Sequence, residues 1–144
     1  MFSKACEYGI RATIHIATQS LEGQRVSLKD IAKEINSPVA FTAKILQQLV
    51  RGGIITSVQG AGGGFEIGRG EMESIKLSQI VSAIDGDQIY KACGLGLKEC
   101  NAKQPCPVHF KFKAIRDELR EMLESTNILE LALGLKDGAT YLKR

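Results

Sequence analysis

Cys93, Cys100 and Cys106 stand in one short run, CGLGLKECNAKQPCPVH, of a 144-residue chain that has four cysteines in all. Thiols gathered in this way suit metal ligation, redox chemistry or both, because the thiolate is the form that binds metals and reacts with oxidants. Pro107 favours the first turn of a helix, which predicts that Cys106 lies at or beside that helix's N-cap. Unpaired N–H groups and the positive end of the helix dipole there favour thiolate over thiol, and Lys91, Lys98 and Lys103 act in the same direction. The fourth cysteine, Cys6, falls in register with Ile10, Ile14, Ala17 and Leu21 and reads as a small core residue.

The N-terminus is interrupted by Arg11 and His15 and does not read as a secretory signal. A cytoplasmic location is therefore expected, and a structural disulfide framework is less expected than metal or redox use. Three thiolates with a nitrogen or oxygen donor also suit zinc, but structural zinc sites usually carry C-x2-C pairs and this chain has none. The glycines at 60 and 62–64 could cradle a phosphate. No Lys-Ser/Thr follows them, however, and Phe65 occupies the last glycine position of a dinucleotide fingerprint beginning at Gly60, so nucleotide binding is not expected.

Composition is that of an ordinary folded domain, 44% hydrophobic and 24% charged, with no apolar run near the length of a membrane span. The formal net charge of +3 lies in the first half: residues 1–70 hold eight Lys/Arg against five Asp/Glu, and residues 71–144 balance. A basic half is weak evidence of nucleic-acid binding by itself. The helices have to supply the rest.

Periodicity predicts a first amphipathic helix over residues 2–20, with Glu7, Arg11 and His15 on a second face at steps of four. Ser27 and Asp30 open a short second helix. Asn36 and Ser37 form a tight connection, Ser37 is expected to cap a third helix, and Pro38 is expected at its first position. That helix runs to about Arg51 and stops at Gly52-Gly53, with Phe41, Ile45 and Leu49 facing inward. Ala40, Ala43, Lys44, Gln47 and Arg51 remain on freer faces, with no bulky apolar side chain to hold a base edge away.

Two helices joined by a few residues suit either a helical hairpin or a helix-turn-helix. The next segment favours the second: Ile54–Gln59 and Phe65–Ile67 are predicted to form a β-hairpin around the glycine loop, hung directly after the helix pair. Helix 3 would then enter the major groove, with Lys44 and Gln47 toward base edges and Arg51 and Lys29 toward phosphate. Ala40, Gln59 and Gly62 complete the candidate DNA surface. A fourth helix ends near Asp85-Gly86. From Pro107, the residues Val108, Phe112, Ile115, Leu119 and Met122 follow a coiled-coil seam, which predicts either self-association or burial against the same domain. Residues 128–133 suggest a closing helix, and the tail from Asp137 is expected to be loose.

These segments together resemble the Rrf-type winged-helix repressors of bacteria, a family with iron-sulfur-regulating (IscR-like) and nitric-oxide-sensing (NsrR-like) members. The resemblance rests on EYGIRATIHIA, VSLKDIAKEI, FTAKILQQLVRGGIITSVQGAGGGF and the cysteine trio ending in CPVH, and covers nearly the whole chain. It implies a mainly α fold with a small β-hairpin wing: a winged helix-turn-helix DNA-binding domain at 1–85, a cysteine cluster loop at 86–106, and a dimerisation helix with a closing helix at 107–136. It further implies a homodimer on double-stranded operator DNA, with no membrane attachment.

By the same resemblance Cys93, Cys100 and Cys106 match the three cluster cysteines. His109 matches the histidine that follows them in IscR-like members, and Glu7 lies where NsrR-like members carry an acidic ligand, which the first helix of one subunit would bring to the loop of the other. The cofactor implied is an iron-sulfur cluster, [2Fe–2S] or [4Fe–4S], since the first cysteine interval departs slightly from the commoner spacing. Gln59 replaces the arginine usual before the wing glycines, and Ala43 stands where IscR-like members have a base-reading glutamate, so an operator cannot be transferred from a relative. The expected function is a transcriptional regulator, a repressor rather than an enzyme, that senses redox, nitric oxide or iron-sulfur status. A cluster-free thiol switch and a small iron-sulfur electron carrier are the alternatives.

Overall fold

The computed structural model describes residues 1–144 as seven α-helices and one two-stranded antiparallel hairpin. Helix α1 (Lys4–Leu21) starts where Ser3 turns its hydroxyl to the Cys6 N–H, 3.0 Å away. The Ser3 N–H also donates to Asp85 at 3.0 Å, which ties the start of α1 to the end of α4 (Leu77–Asp85). These two helices pack closely because Gly9 has no side chain: a Cβ there would lie 2.2 Å from the Ile84 methyl. A helix-interior glycine costs about 0.5–1 kcal/mol relative to alanine, and the close approach is what that cost permits. Cys6 is completely buried, as its register predicted.

Helix α2 (Leu28–Glu34) is capped by Ser27, whose hydroxyl accepts from the Asp30 N–H at 3.2 Å. Asn36, at φ 53°, reverses the chain toward α3 (Val39–Arg51). The start of α3 differs from expectation. Pro38 is the N-cap in extended backbone rather than the first helical residue, and the Ser37 hydroxyl is buried without a partner instead of capping. Thr42 closes the first turn, its N–H and its hydroxyl both donating to the Pro38 carbonyl at 2.9 Å.

Thr42, Ile45, Leu46 and Leu49 form the buried face of α3. Phe41 lies about a quarter-turn away at ~100° per residue and is 38% exposed, with its ring edge-on to Tyr8. The expectation that Phe41 faces inward is thus corrected, because Thr42 and Leu46 set the centre of that face.

Strands β1 (Thr56–Val58) and β2 (Gly64–Glu66) pair in register, with Ser57 opposite Phe65. Val26 adds a rung on the other side of β2 through two backbone hydrogen bonds with Phe65, at 3.0 and 2.8 Å. Gly64 allows this, since at φ 138° any Cβ would meet the Val26 carbonyl at 2.8 Å. A 3-10 turn (Arg69–Glu71) leads into α4, and a one-turn helix α5 (Gln88–Lys91), not anticipated from the sequence, precedes the cysteine loop.

Helix α6 (His109–Ser125) and α7 (Ile128–Lys136) complete the chain. Leu123, Ile128 and Ala132 join the same continuous core as Ile16, Ile31, Ile45, Leu49, Ile80 and Val81. The tail from Asp137 is exposed and carries no helix or strand. Gly138, at φ 74°, turns it back, and Lys143 reaches Glu34 at 3.1 Å.

Candidate functional site

The first candidate surface is the outer side of α3 with the wing. Ala40, Lys44, Gln47 and Arg51 are all exposed on α3, as are Lys29 on α2, Gln59 at the end of β1 and Gly62 at the wing tip. One open cleft gathers Gln47 and Arg51 from α3 with Ser57 and Gln59 from the wing, around Ala43 and Phe65. Lys29, Ala40 and Lys44 lie outside that cleft on the same helix pair.

Arg25 was not singled out from the sequence. Its guanidinium donates to Glu66 at 3.0 Å and to the Gly62 carbonyl at 3.3 Å, bracing the wing from the side opposite β1. An Arg two residues before a helix N-cap carries little signal of such a role. Only the bridge between Val26 and Phe65 brings it there.

The second candidate is the cysteine loop. Cys106 is not at the helix N-cap as expected: Val108 is, and Pro107 and Val108 form a preceding turn whose Cys106 carbonyl accepts from the His109 N–H at 3.0 Å. Pro107 starts the turn rather than the helix, so Cys106 sits two residues before the N-cap, too early for the helix N–H groups.

Cys100 Sγ lies 3.3 Å from His109 Nδ1, and the Cys106 side chain is near enough to Cys93 to influence its thiol. The Cys93 thiol titrates below its ordinary value, chiefly because the Leu95 N–H, 3.4 Å from the sulfur, and the Leu97 N–H favour the thiolate; Cys106 and Gly96 add to the effect. No three His, Cys, Asp or Glu side chains are gathered closely enough to hold a metal ion. Glu7 is not with the cysteines. It pairs with Lys4 at 3.3 Å on α1.

Two further side chains organise this loop. Arg116, two turns along α6 from His109, donates to the Ala92 carbonyl at 2.7 Å and to Cys100 Sγ at 3.1 Å, so one guanidinium holds both the start and the middle of the loop to the helix. The spacing of seven residues from His109 was the sequence signal for it. Phe112 lies against the Gly94 backbone, where a Cβ would be 2.6 Å from the ring. His109 itself is 5% exposed, and its Nε2 is buried with no hydrogen-bond partner. The donor set of three thiols and one buried imidazole with an unpartnered nitrogen is of the soft type that suits iron-sulfur ligation.

The expected α6 seam is divided between two directions. Phe112 faces the cysteine loop, and Leu119 packs against the chain's own core. Ile115 and Met122 stay 62% and 45% exposed. No helix is long and apolar enough to cross a membrane.

Residues 2–133 match the family model Rrf2, described as an iron-dependent transcriptional regulator. The transcriptional regulator IscR of Pectobacterium atrosepticum is 27% identical over 124 residues, covering 86% of this chain and 74% of that protein. Among solved structures, CymR, the global cysteine regulator of B. subtilis, superposes with a TM-score of 0.74 at 26% identity, over 92% of this chain and 95% of that one. The oxidized form of Staphylococcus aureus CymR does so at 0.71 and 27%, over 100% and 99%. A helix pair followed by a braced wing, a cysteine loop latched to a long helix, and a match running through all of them lead to one conclusion: this chain belongs to the Rrf2 family and is a transcriptional regulator, not an enzyme.

Proposed function

We propose that the chain is a repressor that binds duplex operator DNA through α3 and the wing, and that the Cys93–Cys100–Cys106 loop sets its affinity by holding an iron-sulfur cluster. The single observation that carries the DNA reading is the cleft where Gln47 and Arg51 face Ser57 and Gln59 across the α3–wing junction. Lys44 and Gln47 are short enough of apolar neighbours to reach base edges, at about 1–3 kcal/mol for each good bidentate contact. Arg51 and Lys29 serve phosphate, and Ala40 leaves room for the backbone to approach. Gln59 and Gly62 lie at the wing that meets the duplex beside α3.

For the cluster, Cys93, Cys100 and Cys106 are the proposed protein ligands. His109 is the fourth donor favoured by its position beside Cys100. Glu7 is not favoured within one chain, since it pairs with Lys4 away from the loop. A bound cluster would supply one-electron redox chemistry and reactivity toward oxidants or nitric oxide. The chain's own part is mechanical: Arg116 and Phe112 fix the loop to α6, and Leu123 fixes α6 to the core shared with α1 and α3. A change at Cys100 therefore reaches the recognition helix through packed elements, as a shift between two arrangements.

A homodimer built on the exposed Ile115 and Met122 stripe of α6 would present two α3 helices to half-sites about one helical turn, roughly 34 Å, apart. The division at 85/86 and 106/107 fits this reading, with the loop between the DNA-binding part and the dimer helix.

Two observations favour a second reading, a cluster-free thiol switch: the Cys106 side chain lies near enough to Cys93 to favour its thiolate, and the solved relative CymR exists in an oxidized form. Anaerobic purification with an absorption spectrum and iron and sulfide assays separates the two. Visible charge-transfer bands with stoichiometric iron and sulfide are the expected result. A colourless, iron-free protein whose DNA affinity changes on oxidation would replace the cluster by the switch.

A further inference from the structure

A cavity of about 380 Å³ opens between the outer face of α1, the end of α2 and the last residues of the chain. It shares no lining residue with the cysteine loop or with the α3–wing cleft. Its outer wall is the tail. The Ala139 and Thr140 N–H groups donate to the Gly134 carbonyl at 3.0 and 3.1 Å, and Lys143 pairs with Glu34 at 3.1 Å, so the segment is strapped from α7 to α2.

The charges of the cavity do not cancel. Glu34 and Lys143 neutralise each other, and burial holds His15 below the ordinary imidazole value, so that it is neutral at pH 7. Arg11 is left over. Glu7, the helical neighbour that would be expected to pair with it, is taken by Lys4, and none of the chain's ion pairs includes Arg11. Its guanidinium carbon rests 5.0 Å from the centre of the Tyr8 ring, which keeps the fork in place without using its N–H donors.

Beside Arg11 the wall turns apolar, with Ile35, Leu135 and Leu142. A cleft with an apolar wall and a few fixed polar groups, at roughly 300–1,000 Å³, is a usual form of small-molecule site. One unpaired guanidinium calls for one carboxylate, which it can hold through two parallel hydrogen bonds. A cation would be repelled by Arg11, and the second carboxylate of a dianion would find no free cation, since Lys143 is held by Glu34, and would lie against the apolar wall.

We propose that this cavity binds a small aliphatic monocarboxylate, its carboxylate on Arg11 and its body against Ile35, Leu135 and Leu142, as an effector input separate from the cysteines. The site touches α1 and α2, and α2 is the first helix of the DNA-reading pair. A ligand that prefers one arrangement of α2 on α1 changes DNA affinity, and DNA changes ligand affinity by the same factor.

The test is a titration of the full-length protein with hexanoate, hexan-1-ol, hexylammonium and hexanedioate, followed by amide NMR shifts and by operator binding. Hexanoate is expected to saturate, with the largest shifts at amides near His15 and in 140–143 and smaller ones along α2, and to alter operator affinity at least threefold; the other three probes are expected not to saturate. Arg11→Gln is expected to raise the hexanoate dissociation constant at least tenfold, and alkylation of the cysteines to leave it unchanged. Should Arg11→Gln fail to fold, Leu142→Asp, on the exposed tail, is expected to abolish hexanoate binding by placing a carboxylate in the cavity. Equal binding of hexylammonium, largest shifts at amides remote from the cavity, undiminished binding in the folded variants, or saturation with no change in operator affinity would each overturn the proposal.

Discussion

Replacing Arg116 with Met should free the cysteine loop while leaving the fold intact. The side chain keeps its aliphatic length along α6 but loses the guanidinium that donates to Ala92 at 2.7 Å and to Cys100 at 3.1 Å. Hydrogen bonds to charged groups contribute about 1.5–3 kcal/mol each. Arg116 is half-exposed, so water replaces much of what is lost, and a net cost of about 1–2 kcal/mol for loop docking is the reasonable figure, corresponding to a factor of about 5–30 in the open fraction. The fold should not suffer comparably, because Leu123, not Arg116, holds α6 to the core. The assay is labelling of Cys100 in the metal-free protein with a bulky maleimide, at reagent levels where labelling follows the open fraction, with the site identified by peptide mass. Thermal unfolding is measured on the same samples. A rise of five- to thirtyfold with a melting temperature within a few degrees of the parent is expected. An unchanged labelling rate would show that the loop is held by something other than Arg116, Phe112 being the first suspect, and would remove the proposed link between Cys100 and α6.

The pH dependence of stability should carry the mark of Cys6, whose burial pushes its thiol from 9.0 up to about 12, with Asp85 nearby adding to the effect. The buried neutral thiol contributes stability that is fully present below pH 9 and is lost as pH rises from 9 toward 12, at about 1.4 kcal/mol per pH unit; in Cys6→Ala, urea unfolding should lose that slope. Gly9→Ala should destabilise the protein by about 1–3 kcal/mol in the same assay despite alanine's better helix propensity, because the added methyl meets Ile84. Alanine at Gln47 should weaken and broaden operator recognition in a selection from random DNA, by about 1–3 kcal/mol at the base it reads, whereas alanine at Lys29 should weaken all sequences alike and flatten the log-log salt slope by about 0.9. Ile115→Asp, at an exposed position, should leave the monomer folded yet dissociate the proposed dimer in sedimentation, since a two-fold interface loses the residue twice at about 1.5–3 kcal/mol each; a dimer that persisted would place the interface elsewhere.

The sequence by itself determined the local order of this protein. Helical spacing of Cys6, Ile14 and Ala17, the Ser27 cap, the glycine stop after Arg51 and the β-branched run around the wing glycines each act within a few residues, so α1, α2, α3 and the hairpin were legible, and with them the exposed Lys44, Gln47 and Arg51. The cysteine trio was legible as chemistry for the same reason. Tertiary structure decided what depends on distant partners. Phe41 turned out because Thr42 and Leu46 fit the core better, and Cys106 fell short of the helix N-cap because a turn intervened. Arg116 reached Cys100, Arg25 reached the wing, and the tail folded onto Glu34. Periodicity says which face of a helix is apolar, not which other element that face meets. The placing of Cys100 beside His109 and Arg116, and of Glu7 beside Lys4 on α1, follows from how the loop and the helices pack, which helical periodicity does not encode.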